Sequence, residues 1–141
     1  MAAYVKYNSG IEYLNEGVNA GSDVWKLVLS NTAPNTGTHT VLADATEIAN
    51  GNGYTAPGGN TITTTSSAQT SGTQKLVLAD LTITASGGSI GPFRYAILTD
   101  STVAGAPLIA YWDYGAGGVT LTDGESILVD FSAANGVYTI A

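Results

Sequence analysis

The chain has 141 residues, a length that suits one globular domain with a core large enough to need no disulfide or metal. It has no cysteine, which excludes disulfides, thiol catalysis and cysteine-based zinc sites. Eleven acidic residues face four basic ones, so the net charge is -7. Four basic side chains can neutralise only a few phosphate groups of a nucleic acid or an anionic membrane. We therefore expect no nucleic-acid partner and no membrane partner.

The start of the chain lacks the basic and apolar regions of a signal peptide. No apolar run approaches the roughly 18 residues that a membrane helix needs. Together with the missing cysteines, these features are typical of a protein made in a reducing cytoplasm.

The first elements are a weak strand, a short helix and a strong strand. Residues 2–7 alternate loosely, which predicts an N-terminal arm or an edge strand within residues 1–8. Asn8 and Ser9 then offer a cap for one short helix, which Gly17 ends. Residues 24–30 predict a strand that is apolar on both faces and therefore central in its sheet.

The middle of the chain is polar and rich in glycine. Residues 41–49 carry apolar side chains at helical spacing, enough for one or two helical turns. Residues 50–60 predict a loop in which Tyr54 is the one ordering signal, and we expect this loop to order on contact with a partner. The threonine-rich residues 61–72 predict a solvated edge strand.

The C-terminal half carries the clearest strand patterns. Residues 74–85 alternate with a phase shift that predicts a β-bulge near Ala79 and Asp80. Asp123–Gly124 and Asn135–Gly136 are hairpin signals. Further strands are predicted at 93–98, 107–114, 119–122, 125–131 and 137–141. About eight short strands with turn residues between them predict an all-β fold. We expect a single domain over 1–141, an antiparallel, jelly-roll-like β-sandwich with one or two short helices.

Candidate catalytic groups are sparse. His39 is the only histidine, and it lies in a turn with no nucleophile elbow nearby. Asp113, with Glu125 or Asp130 on a neighbouring strand, suggests the paired carboxylates of a glycosidase. The aromatic residues around Asp113 are more typical of a packing ridge on a strand.

Cofactor and metal signals are equally weak. The turn residues Asp100 and Asp123 lack the ligand spacing of a calcium loop. The glycine clusters at 87–91 and 115–118 lack the lysine of a phosphate-binding loop. We therefore expect no enzyme, no cofactor and no metal.

Several segments together resemble a known group of proteins. The sequence ASGGSIGPFRYAIL at 85–98 and the sequence PLIAYWDYG at 107–115 carry much of the likeness. The other segments are 27–34, 41–48 with 51–55, and 121–125 with 129–131. In combination these segments resemble small virion structural proteins of tailed bacteriophages, and most of all a capsid decoration, or cement, protein.

The resemblance implies a location, partners and contact residues. The chain would be a trimeric β-rich subunit in the virion, on the outer capsid surface, where it clamps neighbouring major capsid proteins and stabilises the head. Residues 2–7 would lie across a capsid subunit or another copy by strand addition, unless they form an edge strand of the chain's own sheet. The residues that we assign to protein interaction are Tyr4, Val5, Tyr7, Tyr54 and Trp112.

Two alternatives remain at the level of sequence. The first is a tail, baseplate or fibre-associated β domain that binds a host glycan through Tyr111, Trp112 and Tyr114. The second is a free carbohydrate-binding or hydrolytic β-sandwich. Both depend on the aromatic residues of one predicted strand forming a surface for a sugar ring.

Overall fold

The computed structural model describes residues 3–141. The fold over these residues is all-β, as predicted, with one α-helix, α1 (Asn8–Glu16), and one 3-10 helix, η1 (Leu42–Asp44). The strands in chain order are β1 (Ala3–Lys6), β2 (Trp25–Ser30), β3 (Asn60–Ile62), β4 (Thr64–Thr70), β5 (Thr73–Leu78), β6 (Leu81–Thr84), β7 (Ile90–Phe93), β8 (Tyr95–Asp100), β9 (Leu108–Asp113), β10 (Val119–Leu121), β11 (Ser126–Val129) and β12 (Tyr138–Ile140).

The strands form several antiparallel sheets in a sandwich-like arrangement. The largest sheet has five strands in the order β1-β9-β8-β2-β3. A three-stranded sheet has the order β12-β5-β4, and two further pairs join β7 to β10 and β6 to β11. The first and the last strand of the described chain therefore both lie at sheet edges.

The five-stranded sheet is covered on both faces. Trp25, Leu27 and Leu29 of β2 belong to the main core, together with residues of the three smaller sheets. Val28 points the other way, into a second cluster with Tyr7 and other residues. The prediction of a central strand that is apolar on both faces is thus confirmed for β2.

Strand boundaries fall where the chain passes from one sheet to another. Predicted strand 74–85 is two strands, because β5 pairs with β4 and β12 whereas β6 pairs with β11. The residues between them, where a bulge was predicted, turn the chain: Ala79 donates its N–H to Thr63, and Asp80 accepts from Phe131. Arg94 separates β7 from β8 in the same way. The structure therefore has more and shorter strands than the sequence pattern suggested.

Both predicted hairpins are wrong, although both turns exist. Gly124 and Gly136 have positive φ values of 88° and 74°, as turn glycines do. The strands on either side of each turn pair with other strands: β10 with β7, β11 with β6, and β12 with β5. The N–H of Gly124 donates to Ala85 rather than across its own turn. Each turn thus connects two sheets.

The helical predictions were half right. The first helix is present as α1, and Gly17 is its C-terminal cap. Its N-cap is Tyr7, and no side chain caps the first turn, so Asn8 and Ser9 do not play the predicted role. Residues 41–49 form only η1, because Val41 bridges to Pro107 and Glu47 bridges to Ser30, which keeps the segment extended.

The predicted edge strand at 61–72 lies at sheet edges, but it is divided between β3 and β4, which are the outermost strands of two different sheets. The solvated character holds for β4, whereas Ile62 of β3 is buried. Among the described residues, no helix has the length and apolar character needed to cross a bilayer.

Candidate interaction site

The two terminal strands lie near each other at open sheet edges. β1 pairs only on one side, with β9, in the register Tyr4 to Trp112 and Lys6 to Ala110. β12 likewise pairs only on one side, with β5. Residues 3–6 of the predicted arm are therefore an edge strand of the chain's own sheet, and Met1 and Ala2 lie outside the described residues.

An aromatic pair marks the open edge of β1. The rings of Tyr4 and Trp112 are 5.4 Å apart, and Trp112 also contacts Phe131 at 5.5 Å. Tyr4 remains 38% exposed, whereas Trp112 is half-buried against the main core. Tyr138 of β12 lies buried behind this pair in the main core, and burial, then Asp100 and then Tyr4 raise its pKa to about 12. These phenols stay neutral over the whole physiological range.

A groove formed by two adjoining cavities runs along β12. One cavity of about 180 Å³ lies between Lys6, Ile11 of α1 and Ile140 of β12. A second cavity of about 440 Å³ adjoins it and reaches Asn19, Ala20 and Gly21. The two share Leu14, Tyr138 and Ile140 as lining residues.

The exposed apolar side chains here are large. Ile11 is 50% exposed and Ile140 is 41% exposed. Within the described part of the chain, Lys6 is the one charged residue that lines either cavity. We call the surface made by Tyr4, Lys6, Ile11, Trp112 and Ile140 the terminal face. It is mainly apolar, carries Lys6, and has no acidic residue among its five members, in a chain whose net charge is -7.

Two of the residues assigned to interaction from the sequence are core residues. Tyr7 is fully buried and packs edge-on against Tyr111 at 5.7 Å. Tyr54 is also buried. Val5 is half-buried beside Tyr111 in the register of β1 and β9. The terminal face therefore keeps Tyr4 and Trp112 from the predicted set, and folding removes Tyr7 and Tyr54 from the surface.

Tyr54 is a buried side chain that orders the predicted loop through hydrogen bonds. Its hydroxyl donates to Glu47 Oε1 at 2.6 Å and accepts the N–H of Leu29 at 2.9 Å. The other carboxylate oxygen of Glu47 accepts from Gly58 at 2.8 Å. Burial, followed by the bond to Glu47, raises the pKa of Tyr54. Residues 50–60 are thus ordered by the chain itself, and the expectation that they order only on a partner is wrong.

The aromatic strand β9 does not offer one sugar-binding platform. Trp112 and Tyr114 pack towards the main core, and Tyr114 contacts Phe93 edge-on at 6.2 Å. Tyr111 lies on the opposite face of the sheet. Because neighbouring strand residues point to opposite faces, Tyr111 and Trp112 cannot stack on one sugar ring.

The acids proposed as a glycosidase pair are engaged locally. Asp113 forms a bidentate ion pair with Arg94, with both bonds at 2.7 Å. Arg94 first, and the N–H of Gly115 second, lower the pKa of Asp113 to about 2, so it holds no proton to donate at neutral pH. The N–H of Thr122 lowers the pKa of Glu125. Asp130 accepts from Ser132 in a turn.

The remaining polar candidates are also turn residues. His39 is half-buried, and its Nδ1 accepts the N–H of Asn35 at 3.3 Å. Over residues 3–141, no three His, Asp or Glu side chains converge as a metal site would require.

Comparisons of the chain with protein-family models, with curated proteins and with solved structures found no match.

The sequence missed three residues of the terminal face: Lys6, Ile11 and Ile140. Each lies on a different element, so only the packing of α1, β1 and β12 brings them together. The one signal in the sequence was Ile11, which is apolar together with Tyr13 and Leu14 in α1.

Proposed function

We propose that this chain is a non-catalytic structural subunit of a bacteriophage virion, which binds the outer surface of the capsid and clamps neighbouring major capsid proteins. The proposal combines the resemblance of its sequence segments to capsid decoration proteins with one structural observation. That observation is the terminal face, where a partly exposed aromatic pair and a small apolar cavity lie beside two open sheet edges.

The terminal face has the chemistry of a protein-binding surface. Aromatic side chains concentrate binding energy at interfaces, and charged side chains are depleted at their centres. Full burial of an exposed Ile contributes about 1.5–3 kcal/mol. Many copies on one shell would add modest contacts into a stable attachment, since multivalent contacts multiply affinity.

The partners in this proposal are the major capsid protein and other copies of the chain, as a homotrimer. The open edge of β1 also allows strand addition by a neighbouring subunit, because its outer N–H and C=O groups have no strand partner. The chain would be made in the host cytoplasm and reside on the capsid.

A head-binding experiment with paired variants tests this proposal. Heads are purified from a phage that lacks the gene, and the purified chain is added back and co-sedimented. We expect saturable binding of the unaltered chain. The double variant Ile11→Gln with Ile140→Thr should bind at least about tenfold more weakly, because a loss of about 1.4 kcal/mol already gives that factor.

The matched control is the double variant Val24→Thr with Leu128→Gln. These side chains are 43% and 59% exposed, similar to the tested pair, but they do not line the groove. We expect the control to bind like the unaltered chain. A cryo-electron reconstruction that places the chain on the tail, or binding that both double variants weaken equally, would refute the capsid proposal.

A further inference from the structure

Asp100 is a buried acid with one unpaired oxygen. It is the last residue of β8 and is 0% exposed. Its Oδ1 accepts the N–H groups of Thr102 at 2.9 Å and Val103 at 3.3 Å. Its Oδ2 is buried and has no hydrogen-bond partner. A buried, charged carboxylate oxygen without a hydrogen-bond partner destabilises a fold, so the protonation state of Asp100 needs a physical explanation.

Asp23 supplies the neighbouring group. It is half-buried and lies two residues before Trp25, the register partner of Asp100 in the pairing of β2 with β8, and contact with its carboxyl group is one of the causes that raise the pKa of Asp100. The Oδ2 of Asp23 also accepts the N–H of Asn19 at 2.7 Å. The carbonyl oxygen of Asn19 in turn accepts the N–H groups of Ser22 and Asp23. Asp23 therefore organises the whole turn from Asn19 to Asp23.

No basic group neutralises these two acids in the described residues. The ion pair there joins Arg94 to Asp113, at another place in the fold. The other titratable group that faces Asp100 is the phenol of Tyr138, which comes from β12. Two carboxylates in contact, one of them fully buried, cannot both be ionised without strong repulsion. A single proton between them removes the repulsion and gives the free oxygen of Asp100 a partner.

We propose that Asp100 keeps its proton and donates it in a hydrogen bond to Asp23, and that this bond fastens the turn at 19–23 to the end of β8. When this proton leaves to solvent, Asp100 becomes charged beside Asp23 and the turn loses that hydrogen bond, while the bond from Trp25 Nε1 to the carbonyl oxygen of Ala20 remains. The same turn forms a wall of the groove beside β12, through Asn19, Ala20 and Gly21. The proton therefore controls the shape of the larger part of that groove.

The direction of the pH effect follows from Asp100. Burial is the largest cause that raises the pKa of Asp100, and the contact with Asp23 adds to it, giving a value of about 6. An acid whose pKa is raised in the folded state binds its proton more tightly there than in the unfolded chain. Its stabilising contribution is complete below the unfolded value of 3.8 and is lost as the pH rises through about 6.

The first test follows the carboxyl groups by carbon-detected NMR in the intact chain. We expect the Asp100 carboxyl signal to titrate with a midpoint near 6. In the same experiment Asp113, held by Arg94, should titrate near 2. A midpoint for Asp100 in the ordinary range, below about 4.5, would overturn the proposal.

The second test uses isosteric amides. Asp100→Asn keeps an oxygen for Thr102 and Val103 and places an N–H donor towards Asp23, so it imitates the protonated pair at every pH. Asp23→Asn places an N–H donor on Asp23 that points towards Asp100. This second variant keeps the test valid if Asp100→Asn fails to fold. Asp130→Asn, at an exposed turn acid, is the matched charge control.

The readout is hydrogen exchange at Asn19, whose N–H donates to Asp23 Oδ2, expressed as a protection factor. Between about pH 5 and pH 7.5 the unaltered chain and the Asp130→Asn control should lose roughly tenfold or more in protection, since each pH unit above the midpoint weakens the fastened state tenfold. Asp100→Asn and Asp23→Asn should keep their protection. Equal losses in all four proteins would overturn the proposal. So would restoration of protection by millimolar calcium at about pH 7.5, which would assign the site to a cation.

Discussion

Two buried tyrosine hydroxyls have opposite surroundings. The hydroxyl of Tyr54 donates to Glu47 and accepts from Leu29. The hydroxyl of Tyr7 is buried but has no hydrogen-bond partner. A buried polar group stabilises a fold when it is paired and destabilises it when it is not. The hydroxyl group should therefore increase the free energy of unfolding at Tyr54 and decrease it at Tyr7.

We expect Tyr54→Phe to destabilise the chain by about 1–3 kcal/mol, because it leaves Glu47 and the N–H of Leu29 without their partner. Tyr7→Phe should leave the free energy of unfolding unchanged or raise it, because it removes an unpaired group and keeps the ring contact with Tyr111. Urea unfolding of the two variants measures both effects. Equal destabilisation would show that the Tyr7 hydroxyl has a partner in solution.

The role of Tyr54 was out of reach of sequence reasoning for a physical reason. It lies in a stretch of Gly and Asn with no periodic pattern, so nothing local indicates burial. Its hydrogen-bond partners lie on another strand and in another loop, at positions 29 and 47. The sequence marked Tyr54 as an ordered aromatic, and only the tertiary structure shows that it faces inward.

At the scale of elements, α1 and β9 approach each other unusually closely. A Cβ on Gly10 would lie 2.7 Å from the carbonyl oxygen of Ile109 and 2.9 Å from that of Leu108. These are backbone atoms, so they cannot move aside as a flexible side chain would. Gly10 is thus the residue that lets α1 lie on β9.

We expect Gly10→Ala to destabilise the chain by about 1–3 kcal/mol, the usual range for an overpacked contact. The result is informative because alanine normally stabilises a helix relative to glycine by about 1 kcal/mol. Gly17→Ala is the control: it lies at the other end of α1, where the nearest atom is 3.8 Å from the new Cβ. Thermal unfolding of both variants gives the comparison, and a stabilising Gly10→Ala would mean that the helix sits further from β9.

The residues that form a turn do not determine which strands pair on either side of it. Asp123–Gly124 and Asn135–Gly136 predicted turns correctly, because positive φ at glycine is a local property. They did not predict hairpins correctly, because strand partners are chosen by burial far along the chain. Val137 donates to Leu76, for example, and this contact sets β12 beside β5.

For the whole molecule, the sequence determined the fold class more readily than the arrangement of sheets. Alternation and turn spacing indicated an all-β sandwich-like domain, and the strand β2 was recognised as central. The four sheets arise because the chain changes partner at residues such as Arg94, where β7 ends and β8 begins. No local pattern distinguishes such a change from a continuous strand. The terminal face is equally non-local, since it joins the first and last strands.

The distribution of charge leads to a final prediction about self-association. Each copy carries a net charge of -7, so two copies repel, and they repel least where no acid is present. The terminal face meets that condition, and its cavity between Lys6, Ile11 and Ile140 is lined mainly by apolar atoms. Salt screens the long-range repulsion, with a Debye length that falls from about 30 Å at 0.01 M to about 10 Å at 0.1 M, and it leaves apolar burial intact.

We therefore expect association of the chain to strengthen as sodium chloride is raised from about 0.01 M to about 0.3 M. Sedimentation velocity at both concentrations gives the dissociation constant. The variant Ile11→Gln with Ile140→Thr should associate weakly at either salt concentration, whereas Val24→Thr with Leu128→Gln should follow the unaltered chain. Association that weakens with salt would mean that ion pairs hold the copies together, which would place the contact on an acidic surface away from the terminal face.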